Sequence, residues 1–138
     1  MAATKEPPAQ QPPGQQPLTA RRCVPCEGGT QPLDEQSTGK LLGQLKGWEK
    51  QTSGGRPPKE SMPSKDAHPE LHKTFRFDDF LAAMAFVDRM AALAEEEGHH
   101  PDFCVHYDQV DVTLWTHAVN GLSENDFILA SKIDAILA

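Results

Sequence analysis

Between residues 71 and 98 the hydrophobic period changes from two to about 3.6, and this switch narrows the possible folds more than any other feature. In the segment LHKTFRF, Leu71, Phe75 and Phe77 alternate with His72, Thr74 and Arg76, the pattern of a strand with one buried face. The segment DDFLAAMAFVDRMAALAEEEG follows at once. Phe80, Met84, Val87, Ala91 and Ala94 recur there at helical spacing, with Asp78 placed to cap the start and Gly98 to end the helix.

A hairpin comes next, with FCVHY and VDVTLWTH flanking Asp108-Gln109. A two-residue loop at that point sets Tyr107 opposite Val110, Val105 opposite Val112 and Phe103 opposite Leu114, all apolar and on one face. The last helix is expected to start at Ser123. Ser123 and Asp126 fit a capping box, Leu122 and Phe127 fit a hydrophobic staple, and Leu129, Ile133 and Ile136 supply a core face. Upstream, residues 34–46 form a weaker helix capped by Asp34, with Leu41, Leu42, Leu45 and Trp48 on one side. Gly39 and Gly43 cost it ~1 kcal/mol each relative to Ala. With a short first strand at 48–50, the expected fold is α+β: an antiparallel sheet of about four strands with helices packed on one face.

The rest of the chain has little to bury. Residues 7–17 read PPAQQPPGQQP, so residues 1–22 are expected to be a disordered extension before a domain at 23–138. Residues 51–70 hold four prolines, two glycines and three serines and are expected as a long surface loop. A formal charge of −7 with no Lys/Arg block weighs against nucleic acid as a partner. No apolar run nears the ~20 residues of a membrane span, and no secretory signal is visible. Three cysteines, an odd number, argue against a closed disulfide framework. A soluble chain in a reducing, cytoplasmic setting is the expectation. Cys23-x-x-Cys26 has no second C-x-x-C to complete a zinc site, and Gly28-Gly29 opposes the helix start of a redox motif, so a structural or neutral role is expected. Cys104 falls on the non-core face of its strand.

Extending the hairpin register outward pairs His100 with His117 and leaves His99 adjacent. Three imidazoles then meet at one mouth of the hairpin, opposed Cβ atoms being ~5 Å apart. Imidazole titrates near pH ~6.5 and can donate or accept a proton at cellular pH. Such a cluster suits acid–base chemistry and also suits zinc; the residues alone leave both open. Glu95, Glu96 and Glu97 end the long helix, where the dipole disfavours negative charge by ~0.3–1 kcal/mol each, and Glu95 is a candidate to orient a histidine. Asp126 has a structural role open to it in the capping box, and Trp48 has one in the core. Trp115 alternates onto the face opposite Val112 and Leu114, where an exposed Trp marks an interface or pocket.

EEEGHHP, the strand ending TLWTH and the segment GLSENDF together resemble the pterin-4a-carbinolamine dehydratase family. Its signature is an acidic residue, three positions, His-His-Pro, an aromatic about seven residues on, a His ending the next strand and an Asp in the last helix. Here these are Glu95, His99, His100, Pro101, Tyr107, His117 and Asp126. The likeness takes in Gly47-Trp48 and FRFDDF and covers about residues 23–138. Two features depart from the family: the longer 51–70 loop, and Ala118 where members often carry Asp.

The resemblance implies dehydration of 4a-hydroxytetrahydrobiopterin to quinonoid dihydropterin and water, in tetrahydrobiopterin recycling, with no metal or other cofactor. His99 and His117 would be the acid and base and His100 would orient the pterin. Glu95, Trp48 and Asp126 would help to bind it. A homodimer or homotetramer is also implied. The competing role within the family is a non-catalytic scaffold, assembly factor or transcriptional dimerisation cofactor; the presence of all three histidines favours the enzyme. A zinc hydrolase would want an H-E-x-x-H helix, which the chain lacks.

Overall fold

The structure is a computed structural model that describes residues 16–25, 31–53 and 67–137. Its elements are α1 (Glu35–Leu42), β1 (Glu49–Thr52), β2 (Pro69–Arg76), α2 (Phe80–Glu97), β3 (Asp102–His106), β4 (Gln109–Leu114) and α3 (Glu124–Ile136). The four strands pair antiparallel in the order β1-β2-β4-β3, so the fold is α+β.

The sheet has one apolar face. Leu71 pairs with Leu114 and Phe75 with Val110, while Val112 lies opposite Lys73. The apolar members of this set are at most 5% exposed and join Phe86, Met90, Phe127, Leu129 and Ile133 of α2 and α3 in one core. The alternate positions, His72, Thr74, Asp111 and Thr113, carry polar side chains on the other face. A two-residue side-chain period against a helical stripe thus separates the faces. Among the described residues, no helix is long and apolar enough to cross a membrane.

Several expectations need correction. α2 is capped by Asp79, not Asp78: the Asp79 carboxylate accepts the Ala82 N–H at 2.8 Å. Its buried face is Ala83, Phe86, Val87, Met90 and Ala94, whereas Phe80 is 46% exposed. The helix is apolar nearly all round, so periodicity allows more than one face. Phe86 settles the choice by packing at 4.8 Å from Phe75 and 5.1 Å from Phe77.

The hairpin turns one residue earlier than expected, which shifts each pairing by two residues. Phe103 pairs with Val112 and Val105 with Val110, leaving Tyr107-Asp108 as the loop. A slip of two residues keeps every side chain on its face, so alternation cannot tell the two registers apart. The turn is tied to the end of β2, where the Phe77 N–H donates to the Asp108 carbonyl at 2.8 Å. Tyr107 adopts φ 52° there, an uncommon conformation for a non-glycine residue. β3 lies at the sheet edge, so Phe103 (44%) and Tyr107 (68%) are exposed and not core.

The loop between β1 and β2 is shorter at both ends than residues 51–70. Gln51 pairs with Glu70 and Thr52 with Pro69, the proline standing at the first strand position, where its missing N–H matters least. Residues 54–66 lie outside the described residues. α1 has the expected Asp34 cap, which accepts the Ser37 N–H at 2.7 Å, but it stops at Leu42. Trp48 stands past the helix, just ahead of β1. It is 5% exposed, edge-on to Phe75, and its indole N–H donates to Asp134 at 3.0 Å.

The N-terminal boundary also moves. Residues 1–15 lie outside the described residues, but residues 16–22 do not form a free extension. Leu18 begins a 3-10 turn and is 3% exposed in the core, and Arg21 pairs with Glu124 of α3 at 2.6 Å. The Cys23 N–H donates to Glu97 at 3.0 Å, and Glu97 also pairs with Lys132. Cys26 lies outside the described residues; Cys104 is exposed on the non-core face, as expected.

Candidate active site

Two helix ends build the site. α2 closes on Gly98, whose φ of 66° is left-handed and suits a residue without Cβ. The chain reverses there, and the next two residues are His99 and His100. α3 opens on Ser123, and Asp126 sits one turn in. The Ser123 N–H donates to Asp126 Oδ2 at 3.0 Å, the carboxylate half of the expected capping box. Leu122 and Phe127 are both buried beside it, as a hydrophobic staple requires.

Asp126 has no solvent exposure, so each oxygen needs partners. Oδ2 takes the Ser123 N–H and the Thr116 hydroxyl at 2.8 Å. Oδ1 meets His99 Nε2 at 2.6 Å. The Thr116 proton is spent on Asp126, so Ser123 Oγ donates to Thr116 Oγ1 across their 2.7 Å contact. A carboxylate only accepts, so His99 carries its proton on Nε2 and presents Nδ1 as the free ring nitrogen. Asp126 thus serves as helix cap and as partner of His99 at once.

His100 is held differently. Its Nε2 lies 2.6 Å from Glu95 Oε1, five residues back on the last turn of α2. Both side chains are open to solvent, at 60% and 80% exposure. His117 begins a 3-10 turn over His117–Val119 just past the end of β4. That turn is closed by a bridge between Thr116 and Gly121, with Asn120 in the left-handed conformation that Asn tolerates. The His117 ring stacks on Trp115 at 3.7 Å.

The expected pairing of His100 with His117 is not formed. In the observed register, continuing β3 and β4 outward sets Trp115 opposite His100. The histidines are related instead through Asp126: it binds His99 directly and binds Thr116, the neighbour of His117. Glu95 and Asp126 each hold a histidine. Trp48 does not join them. Its partner Asp134 lies two turns of α3 beyond Asp126, roughly 12 Å along the axis at 1.5 Å per residue.

Sequence reasoning missed Thr116 and Ser123, although Thr116 stands beside the singled-out His117 and Ser123 was known as a cap. It also missed His68, which stacks on the other face of Trp115 at 3.5 Å. Among the described residues, no three His, Cys, Asp or Glu side chains are grouped so as to hold a metal ion. His99 and His100 are each turned to a carboxylate.

Two histidine–carboxylate pairs, His99 with Asp126 and His100 with Glu95, thus gather at the junction of two helix ends on an antiparallel α+β frame. The family model of pterin 4 alpha carbinolamine dehydratase matches residues 31–136. A Methylococcus capsulatus protein whose name assigns it provisionally as a pterin-4-alpha-carbinolamine dehydratase is 40% identical over 88% of this chain and 94% of its own length. A Stenotrophomonas maltophilia protein of the same provisional name is 45% identical over 87% of this chain and 91% of its own. A crystal structure from Brucella melitensis, titled transcriptional coactivator/pterin dehydratase, aligns with a TM-score of 0.62 at 34% identity, over 78% of this chain and 99% of that one. The chain belongs to the pterin 4 alpha carbinolamine dehydratase family.

Proposed function

We propose that this protein dehydrates 4a-hydroxytetrahydrobiopterin to quinonoid dihydropterin and water, within tetrahydrobiopterin recycling. The observation that carries the reading is the His99–Asp126 pair, one buried carboxylate fixing the tautomer of an imidazole next to the Thr116–His117 segment. In the substrate, one carbon bears the hydroxyl and a ring nitrogen. One residue protonates the hydroxyl, and the carbon–oxygen bond breaks with its electron pair leaving in water. The nitrogen lone pair forms the new carbon–nitrogen double bond, and the nitrogen gives its proton to a second residue. The substrate supplies the electrons, so the protein has only protons to move.

His99, through Nδ1, and His117 are the two proton-handling groups of this proposal. His100, exposed and braced by Glu95, orients the pterin ring. The test is the lifetime of the hydroxylated pterin in a coupled hydroxylase assay with chelator-treated protein. Shortening of that lifetime is the expected result. Activity that vanishes on chelation and returns with zinc would overturn the metal-free mechanism.

The proposal includes self-association of the chain. Leu81 (77%) and Phe80 (46%) on α2, and Phe103 on the edge strand β3, leave apolar surface in water, as interface residues do. Trp115 no longer argues for an interface, since its ring is taken up between two histidines. Sedimentation at micromolar concentration should give a dimer or tetramer; a monomer would contradict this part.

A further inference from the structure

We infer that His68 and Trp115 are positioning residues for His117, held with it in a three-ring stack. The inference rests on the dehydratase reading for its consequence in catalysis, but not for the stack itself. His68 lies face to face with Trp115 at 3.5 Å and 18°, and Trp115 with His117 at 3.7 Å and 26°. The three rings come from two adjoining segments: His68 immediately precedes β2, and Trp115 and His117 follow β4. Continuing the β2–β4 register outward sets His68 opposite His117.

His68 lacks the anchor a buried histidine normally has. His68 is 7% exposed, yet its Nδ1 is buried with no hydrogen-bond partner. A buried imidazole usually finds a partner for each ring nitrogen. The contact that His68 does make is through its face, to the indole. The indole is fixed at its edge, where Nε1 donates to Asp102 Oδ2 at 3.1 Å. Backbone bonds pin His68, its N–H to Ser53 Oγ at 3.2 Å and its carbonyl to the Ser53 N–H at 2.8 Å. The stack is therefore rooted at His68 and at Trp115.

This arrangement separates His117 from the other two histidines. His99 and His100 each commit a nitrogen to a carboxylate. The aromatic face holds the plane of exposed His117, and among the described residues no carboxylate takes a nitrogen of its ring. A group that takes a proton at one stage of dehydration and returns it at another needs that freedom. Of the titratable groups around the stack, Asp102 of β3 holds the indole and Asp126 of α3 lies behind Thr116; continuing the two registers outward sets Glu70 and His100 opposite Trp115, their side chains bonded to Gln51 and Glu95.

The experiment uses the full chain with His68→Ala, His68→Phe, Trp115→Phe and His117→Ala. Protonated imidazole quenches indole emission more than the neutral ring does. The Trp115 signal, taken as wild type minus Trp115→Phe, should fall on acidification, and His117→Ala should remove most of that response. His68→Ala should shrink the response and lower kcat by about tenfold with KM little changed, as a small misplacement of a reacting group does. His68→Phe restores a flat ring without nitrogens and should recover both. It also covers the case in which His68→Ala fails to fold. An undiminished response and full kcat in His68→Ala would overturn the inference. So would a His68→Phe protein that folds yet lacks activity, since His68 would then act through its nitrogens. Wild-type protein with an intact fluorescence response but no dehydration would sink the dehydratase reading and the catalytic role of the stack, leaving only the stacked geometry.

Discussion

Asp126 binds His99 with one oxygen and caps its own helix with the other. Asp126→Asn keeps the size and an accepting oxygen but loses the charge and the fixed tautomer of His99. It should fold nearly as well as wild type and lower kcat by ~10²-fold or more. Asp126→Ala should add a stability loss of ~1 kcal/mol or more from the missing cap. Urea denaturation beside steady-state kinetics checks both; wild-type kcat in Asp126→Asn would reduce the residue to a cap.

The three histidines should differ in the kind of defect they produce. His117→Ala should lower kcat by ~10²–10⁴-fold. Because His99 and His117 serve one substrate hydroxyl and its partner nitrogen, the double variant should cost less than the product of the single losses. His100→Ala and Glu95→Gln should raise KM more than they lower kcat. A His100→Ala protein with no kcat and intact pterin affinity would exchange the roles given to His99 and His100.

Asn125 treats Val24 as a neighbouring strand would. Its side-chain oxygen accepts the Val24 N–H at 2.9 Å and its amide donates to the Val24 carbonyl at 2.6 Å. Asn125 is 5% exposed, so Asn125→Ala should cost ~1–3 kcal/mol. Hydrogen exchange should show the amides of Cys23 and Val24 losing protection while those of β2 and β4 keep it. Equal protection in the variant would place the hold on this segment elsewhere, at Leu18 or Arg21.

Acid and alkali should loosen the same segment for opposite reasons. Burial works against ionisation of Glu97, but the Lys132 ammonium and the Cys23 N–H outweigh it and hold its carboxyl below the usual 4.5. A depressed carboxyl stabilises the fold above its ordinary value, and that contribution fades as pH falls through the folded value. The Cys23 thiol is pushed up from 9.0 to about 12, chiefly by burial and then by the Glu97 charge. Its neutral form is favoured in the fold, so this contribution is whole below pH 9 and is lost as pH rises toward 12. Stability of the segment should therefore be flat between about pH 5 and 9 and fall on both sides. In a Cys26→Ser background at pH 8, a thiol reagent should label exposed Cys104 first and Cys23 slowly; equal rates would contradict the burial of Cys23.

What was legible in the sequence was whatever depends on a period or a cap. Leu71 and Phe75 announced a strand, Gly98 a helix end, and Ser123 with Asp126 a helix start. The misses have three physical causes. Parity cannot fix a hairpin register to better than two residues, so it allows His117 opposite His100 where the register sets Trp115. An all-round apolar helix does not say which stripe is buried, so its period admits Phe80 to the core as readily as Phe86. Contacts across long sequence separation leave no periodic trace: Val24 against Asn125, or His68 against Trp115. Trp48 belongs with these, since only the fold shows that Asp134 claims its indole. The candidate site is readable as residue types, His99, His100 and His117 with Glu95 and Asp126, while Thr116 and Ser123 are invisible as partners of a carboxylate.

The double duty of Asp126 has an evolutionary consequence. A relative that served only as a binding module would still need this carboxylate to start α3, so its persistence would say little about activity. His117 is bound by no such debt. It stands on the surface of an indole, and little in the core would miss it. Among relatives of this fold, drift at the position of His117, more than at Asp126, should therefore be the trace that a lineage has stopped being an enzyme.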